Sequence, residues 1–505
     1  MSESARSPAG AGASLLEAGR NCWRIDRAAR GALIVDAADY FRLARAAMLR
    51  ARSQILLVGW DFDTRIQLVE MAKGDEAPIH LGRFLSWLAR RKPDLRIHIL
   101  AWDGKLYSFL GRGTTLLRLA EWRLLKRRIS FKLDGAHPLE GSHHHKILVI
   151  DDAFACCGGI DMTGSRWDTR AHRDVEPGRR RPTTHRHYGP WHDAAMAFDG
   201  EAARALGDLG RARWALACGE RLSSPAGPSD PWPDELGVQC RDFELAIART
   251  CGETEEVSEV REIEALFADM IGAARRFVYI ESQYFASRLV AEAIARRLAE
   301  PDGPEFVIVN PRSAEGWLEE AVMGAARATL IEAVEKADRH GRFRIYSPVT
   351  AKRADIYVHA KIMIVDDRML RVGSANLNNR SMGLDSECDV VIDAARDTNR
   401  GCERTIANLR SGLVAEHLGV DPERVAAVLE ETGSLIAMVE RLRGEGRSLV
   451  PFEPPDFTDV AEAVAGSEVA DPEAAGQDFE PLARRRLLRG LSRRGRLRAV
   501  RPRQA

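Results

Sequence analysis

Lysine is scarce in this 505-residue chain: only nine of its 74 basic residues are lysines. Net charge is absent as well, because 74 acidic residues balance the basic ones. A zero balance excludes a global field that would draw the chain onto nucleic acid or anionic lipid, so any such attraction is local. Cysteine is thin: the eight residues form no CxxC pair and no regular framework, and Cys156 and Cys157 sit side by side in an apolar run. Neither a disulfide scaffold nor structural zinc is expected from that pattern; free thiols in a reducing compartment are. Long apolar runs are missing, and none approaches the ~20 residues of a membrane span. The first residues show no basic segment followed by an apolar stretch, so a secretory leader is not expected. The expectation is a cytoplasmic protein that touches a membrane peripherally.

What is present is a repeat. Hydrophobic residues make up 45% of the chain and charged residues 29%, which suits a soluble globular protein with a sizeable core. Setting His144 against His359 brings Lys146 onto Lys361 and Asp151 onto Asp366. Gly158 and Gly159 then fall on Gly373 and Ser374, and Asp161 falls on Asn376. Working backwards, residues 55–62 match 277–285, residues 96–102 match 306–311, and residues 129–133 match 343–346. These are short apolar, β-branched runs that read as buried strands. Helical patterns lie between them at 37–51, 81–91, 262–274 and 317–337. The fold class expected is α/β: two similar sandwich halves related by a pseudo-two-fold, with the active site in the cleft between them.

The expected organisation is a disordered N-terminus (1–20), a first half (21–220), a Pro- and Ser-rich linker (221–236), a second half (237–420) and a C-terminal region (421–505). That last region reads as a helical appendage followed by a tail. The tail is acidic up to about residue 480 and holds ten arginines and no acid over 484–503, a composition that predicts disorder. The first half carries an extra segment, 168–190, rich in Arg and His, which is either functional or merely variable.

Side chains at i and i+2 on a strand face the same way, so His144 projects with Lys146 and His359 with Lys361. An imidazole beside an ammonium suits a phosphate: the cation holds a non-bridging oxygen while the imidazole attacks or donates a proton. Asp151 and Asp366 end the same strands, where they brace the site or pair with its lysines. Two of the nine lysines occupy these equivalent positions, which chance rarely arranges. A metal site built from His143, His144 and His145 is not expected, since consecutive strand residues point apart.

The segments 144–151 and 359–366 resemble the paired motifs of the phospholipase D superfamily. So do 158–161, 373–381 and 280–285, and the likeness runs over about residues 20–420. The resemblance implies a two-step mechanism in which His144 attacks phosphorus and His359 serves as acid and base. Lys146 and Lys361 then bind the phosphate oxygens, helped by Asn376 and Ser374. Gly159 and Asp161 lie at the corresponding place in the first half. There Asp161 departs from the pattern of Asn376, and a carboxylate there repels phosphate, so pairing with a lysine is its alternative role. Each histidine also needs a carboxylate on its far nitrogen. The repeat aligns 193–199 with 387–393, and the resemblance assigns Glu387 to His144 and Asp193 to His359 across the two-fold. Trp191 and His192 are expected to line the cleft. No cofactor or metal is called for, because the lysines and histidines supply the positive charge.

Three substrates are open. A phospholipase D reading is supported by two complete motifs in one chain, by residues 190–193 and by residues 316–324. A cardiolipin-synthase-type phosphatidyltransferase would use the same site with an alcohol in place of water. A nuclease would use the arginine tail to hold a nucleic-acid backbone. A non-catalytic scaffold is the remaining class, and the loss of a motif residue that would mark it is not seen. The expected partner is a phospholipid membrane surface, with nucleic acid the alternative, and the expected state is a monomer.

Overall fold

The computed structural model describes residues 13–71, 76–105, 114–124, 128–138, 140–313 and 325–453. The first half contributes strands β1 (Arg24–Val35), β2 (Gln54–Gly59), β3 (Arg96–Trp102), β4 (Ile129–Asp134), β5 (Ile147–Ile150), β6 (Phe154–Gly158), β7 (Trp191–His192) and β8 (Ala194–Asp199). The second contributes β9 (Cys240–Cys251), β10 (Val260–Arg261), β11 (Phe277–Glu281), β12 (Glu305–Val309), β13 (Phe343–Val349), β14 (Tyr357–Val358), β15 (Ile362–Val365), β16 (Met369–Gly373), β17 (Glu387–Asp393) and β18 (Ser448–Pro451). The helices are α1 (Ala37–Arg50), α2 (Leu81–Arg91), α3 (Thr114–Leu124), α4 (Gly200–Cys218), α5 (Glu262–Ala273), α6 (Arg288–Leu298), α7 (Ala325–Ala337), α8 (Asn379–Gly383), α9 (Cys402–Leu418), α10 (Pro422–Thr432) and α11 (Leu435–Leu442).

All strands except β7 and β14 join one 16-stranded sheet. Its centre is the antiparallel pair β1–β9. Outward from that pair, one side runs β1–β8–β6–β5–β2–β3–β4 and the other β9–β17–β16–β15–β11–β12–β13. The two orders are the same topology, so the pseudo-two-fold passes between β1 and β9. Alternation along each strand divides the core into layers. Leu33 and Val35 of β1 face the same side as Leu56 and Val58 of β2 and as Phe277 and Tyr279 of β11, in a layer shared by both halves. That layer is closed by residues of α4, α9, α10 and α11. The opposite faces pack separately, against α1 and α2 in the first half and against α5, α6 and α7 in the second.

Several segments differ from the sequence expectation. Residues 13–20 are anchored rather than loose: the Ser14 hydroxyl donates to Asp393 at 2.8 Å and Leu16 is buried. The linker packs as a strap, with Trp232 buried edge-on against Phe154 and Ser229 bonded to Asp151. The appendage helices contribute to the main core, and β18 then pairs antiparallel with β13 as an edge strand that periodicity did not show. Segment 168–190 is tied into the second half, through Arg170 to Glu416 and Asp174 to Lys352. Residues 1–12, 316–324 and the arginine-rich stretch lie outside the described residues.

Candidate active site

Each HxK motif is stitched to the segment that carries the other half's carboxylate. The His144 N–H donates to the Ser386 carbonyl at 3.0 Å, one residue before Glu387. In the equivalent place, the His359 N–H donates to the His192 carbonyl at 2.8 Å, one residue before Asp193. The parallel pair β7–β14 and the bridge between His143 and Ser386 are the two copies of this device. The result is two crossed imidazole–carboxylate pairs. His144 Nδ1 lies 3.0 Å from both Glu387 oxygens, and His359 Nδ1 lies 2.7 Å from Asp193 Oδ2. An imidazole that gives its Nδ1 proton to a carboxylate keeps Nε2 free and basic.

The two carboxylates differ in their surroundings. Glu387 also accepts the hydroxyls of Ser374 and Ser381. Among the described residues Asp193 has one further donor, the Ala194 N–H at 2.8 Å. Gly159 stands where the second half has Ser374, and a Cβ there would lie 2.1 Å from Asp193 Oδ1, so only glycine leaves room for this pair. Burial lifts Asp193 to about 7, although the Lys361 charge pulls it down. Burial also raises Glu387 above the usual carboxylate range, against the Ser374 hydroxyl, the Lys146 charge and the Ser381 hydroxyl.

Charge at the site is compressed. Lys146 Nζ sits 3.1 Å from Asp161 Oδ2 and 3.1 Å from the His144 carbonyl. Lys361 instead faces the neutral Gln283 Oε1 at 3.5 Å and its own motif's His359 carbonyl. Burial lowers Lys361 to about 7, and the charge on Lys146 pushes in the same direction. Burial and the lysine charges hold His144 well below the imidazole range. His359 is lowered too, by burial, Lys361 and then Arg166. The crossed imidazole–carboxylate contacts bring both motifs together in one site. Asn376 Oδ1 and the Trp191 indole Nε1 are buried without a hydrogen-bond partner among the described residues.

Four sequence assignments change. Asp151 and Asp366 do not reach the lysines. Each is the first central residue of the β-turn in a three-residue hairpin loop at the far end of β5 or β15, at φ 52° and 55°. Asp151 accepts the N–H groups of Arg52, Ser53 and Gln54 at 2.7–2.8 Å. Asp366 accepts those of Arg275, Arg276 and Phe277 at 2.7–2.9 Å. These carboxylates cap the start of β2 and β11 and are structural. Ser374 is committed to Glu387 rather than to a phosphate. His192 is fully buried away from the cleft, between Glu281 and Glu416. Asp161 takes its alternative role, as the partner of Lys146, and its other oxygen accepts the Trp60 N–H.

Other side chains at the site were not singled out from sequence. Trp60 and Trp102, at the C-terminal ends of parallel strands, stack at 5.6 Å, and Trp60 meets His144 edge-on at 6.0 Å. Tyr357 stacks at 4.5 Å on Trp191, which was expected at the cleft, and Trp191 lies tilted against His359 at 5.2 Å. The Arg166 guanidinium lies 4.0 Å over Trp191. Arg166 follows Asp161 by five residues, as Ser381 follows Asn376, so extending the repeat alignment would have found both. A cavity of about 310 Å³ opens beside Trp191 and Tyr357, lined also by Tyr188, Arg181 and Asp355.

Among known families, a model described as phospholipase D matches residues 331–442. Phospholipase D A of Dictyostelium discoideum is 26% identical over 77% of this chain and 36% of its own length. Phospholipase D1 of Schizosaccharomyces pombe is 26% identical over 56% of this chain and 28% of its own. A cardiolipin synthase of Geobacillus thermodenitrificans is 25% identical over 51% of this chain and 44% of its own. The chain thus spans well under half the length of these relatives. The crystal structure of phosphatidylserine synthase from Haemophilus influenzae Rd KW20 superposes with a TM-score of 0.50 at 14% identity, over 82% of this chain and 94% of that one, which is a likeness of fold. The crossed motifs, the repeated sheet and these matches together make the chain a member of the phospholipase D superfamily.

Proposed function

We propose that the chain is a phospholipase D that cleaves the distal phosphodiester of a glycerophospholipid, releasing phosphatidic acid and the free head group. The observation that carries this reading is the pair of histidines in one site, each with Nε2 free and Nδ1 on a carboxylate from the other half. In the first step His144 Nε2 attacks phosphorus, and the head-group oxygen leaves with a proton from His359 Nε2. In the second, His359 takes a proton from water, the water oxygen bonds to phosphorus, and the bond to His144 breaks. The unequal carboxylates support this division. Glu387, with three donors, steadies the cationic imidazole of the phosphohistidine. Asp193, with a pKa of about 7, shares a proton with His359 near neutrality, where an acid–base catalyst works best.

Lys146, Lys361 and Asn376 hold the non-bridging oxygens. Trp191 and Tyr357 wall the side on which the head group leaves. Both motifs lie in one chain, so a monomer closes the site, and the substrate comes from transient contact with a phospholipid surface. Among the described residues no helix is long and apolar enough to cross a membrane. The test is incubation with mixed phospholipid vesicles containing a little ethanol. Phosphatidic acid, phosphatidylethanol and free head group from the wild type, absent in His144→Ala, support the reading. Cleavage of single-stranded DNA with no lipid turnover would replace it with the nuclease.

A further inference from the structure

Behind the catalytic cleft lies a second polar cluster that the reaction does not use. Asp36, His172, His192 and Glu416 are all buried, and one donor atom from each lies within 4.8 Å of the other three. The four close a ring. His172 Nε2 is 3.0 Å from Glu416 Oε1, which is 2.9 Å from His192 Nδ1. His192 Nδ1 is 3.4 Å from Asp36 Oδ1, and Asp36 Oδ2 is 3.5 Å from His172 Nε2. Donors arranged tetrahedrally at zinc bond lengths of about 2.0–2.1 Å stand about 3.3 Å apart, the size of this ring.

The shell around the ring has the form of a metal site. A ligating histidine usually gives its other ring N–H to a carboxylate. Here both do: His172 Nδ1 lies 3.0 Å from Asp168 Oδ2, and His192 Nε2 lies 2.8 Å from Glu281 Oε2. Those outer acids are held in turn, Asp168 by Arg179 and the Trp191 N–H, Glu281 by Tyr279 and His417. One first-ring atom is left over: Asp36 Oδ2 is buried and accepts no hydrogen bond among the described residues. Asp36 precedes α1 yet does not cap it, so its carboxylate is turned to the ring instead of to its own helix.

We propose that Asp36, His172, His192 and Glu416 bind one zinc ion. The site is structural and lies outside the phosphoryl-transfer chemistry. Charge permits the ion. Four carboxylates (Asp36, Asp168, Glu281 and Glu416) face the guanidiniums of Arg170 and Arg179 and the two imidazoles, so a divalent ion offsets the two negative charges that the guanidiniums leave over. Three ligands come from the first half and Glu416 from α9 of the second, so the ion ties the halves together. It also reaches the active site through the backbone. The Asp193 N–H donates to Asp36 Oδ1 at 3.1 Å, and the Asp36 N–H donates to the Asp193 carbonyl at 2.7 Å. The carboxylate that orients His359 is thereby fixed to a metal ligand. The absence of a cysteine framework gave no hint of such a site, because its donors are imidazole and carboxylate and are far apart in sequence.

The experiment is elemental analysis of the full chain, purified without chelator, incubated with zinc and desalted. One zinc per chain is expected in the wild type, and far less in His172→Gln and in Glu416→Gln. Asp168→Asn, outside the first ring, should weaken zinc binding by about 10- to 100-fold while the protein stays folded. If the ring variants fail to fold, wild type unfolded with chelator and refolded with cobalt should show the visible bands of tetrahedral cobalt, and those bands should fade when zinc is added. A folded wild type that retains no zinc after incubation, or zinc held equally by wild type and by a folded Glu416→Gln, would overturn the proposal.

Discussion

His144 Nδ1 and the Glu387 carboxylate meet at 3.0 Å although they are 243 residues apart in the chain. The contact fixes the tautomer of the His144 imidazole from the opposite half of the molecule. Glu387→Gln keeps the shape but presents an amide that favours the wrong tautomer. Turnover should fall by about 10⁴-fold with little change in folding. Head-group release and circular dichroism on the same preparation check this, and a loss smaller than tenfold would remove Glu387 from the mechanism.

His144→Ala and His359→Ala should each lower turnover by about 10⁴- to 10⁶-fold, and the double variant should be little worse than either alone, because the two act as a unit. The measurement is the rate of phosphatidic acid formation under saturating lipid. Additive losses would show two independent sites.

The pairs were legible because strand period and the repeat both act on them: His144 with Lys146, and His359 with Lys361, share a face whatever the tertiary detail. Glu387 and Asp193 came from the same alignment plus a family resemblance. The Asp151 and Asp366 roles were not legible, since a motif position does not reveal which end of a strand a carboxylate serves. Their positive φ and their three N–H partners depend on the neighbouring strands β2 and β11. His192 looked like a cleft residue because it adjoins Asp193, yet side chains alternate along the strand and its ring turns inward. The Asp36–His172–His192–Glu416 ring needs contacts across both halves, which no local pattern encodes.

Asp151→Ala should therefore cost stability and spare chemistry. Three backbone N–H groups and the Ser229 hydroxyl lose their acceptor, a loss of about 2–4 kcal/mol in urea unfolding. Turnover of the folded fraction should stay near the wild-type value. The pH dependence has a definite sign. Burial raises the Asp151 carboxyl, but its hydrogen bonds from Gln54, Ser229, Arg52 and Ser53 outweigh that and hold it below the usual range. Its contribution is thus present above the unfolded value of about 3.9 and is lost as pH falls through the lower folded value. Acid unfolding compared between wild type and Asp151→Ala should show the two stabilities converging at low pH. A variant that is stable but inactive would return Asp151 to the catalytic set.

Burial lowers Lys361 to about 7; the Asp193 charge opposes that shift and the Lys146 charge adds to it. In the proposed mechanism phosphate capture uses the ammonium charge, so kcat/KM should fall as pH rises through about 7. In Lys361→Arg the absolute rate should drop, since a planar fork replaces a compact ammonium, while the alkaline limb moves to higher pH. A pH profile of kcat/KM for both proteins is the check; an alkaline limb that does not move would assign it to another group.

In the proposed mechanism one site carries out two successive displacements at phosphorus, the first by His144. The most direct measurement is the stereochemical course of transfer to an added alcohol, using a phospholipid whose phosphorus is made chiral by isotopic and sulfur substitution. Two in-line displacements invert twice, so retention of configuration is predicted. Inversion would mean a single direct attack by the acceptor and would contradict the phosphohistidine account.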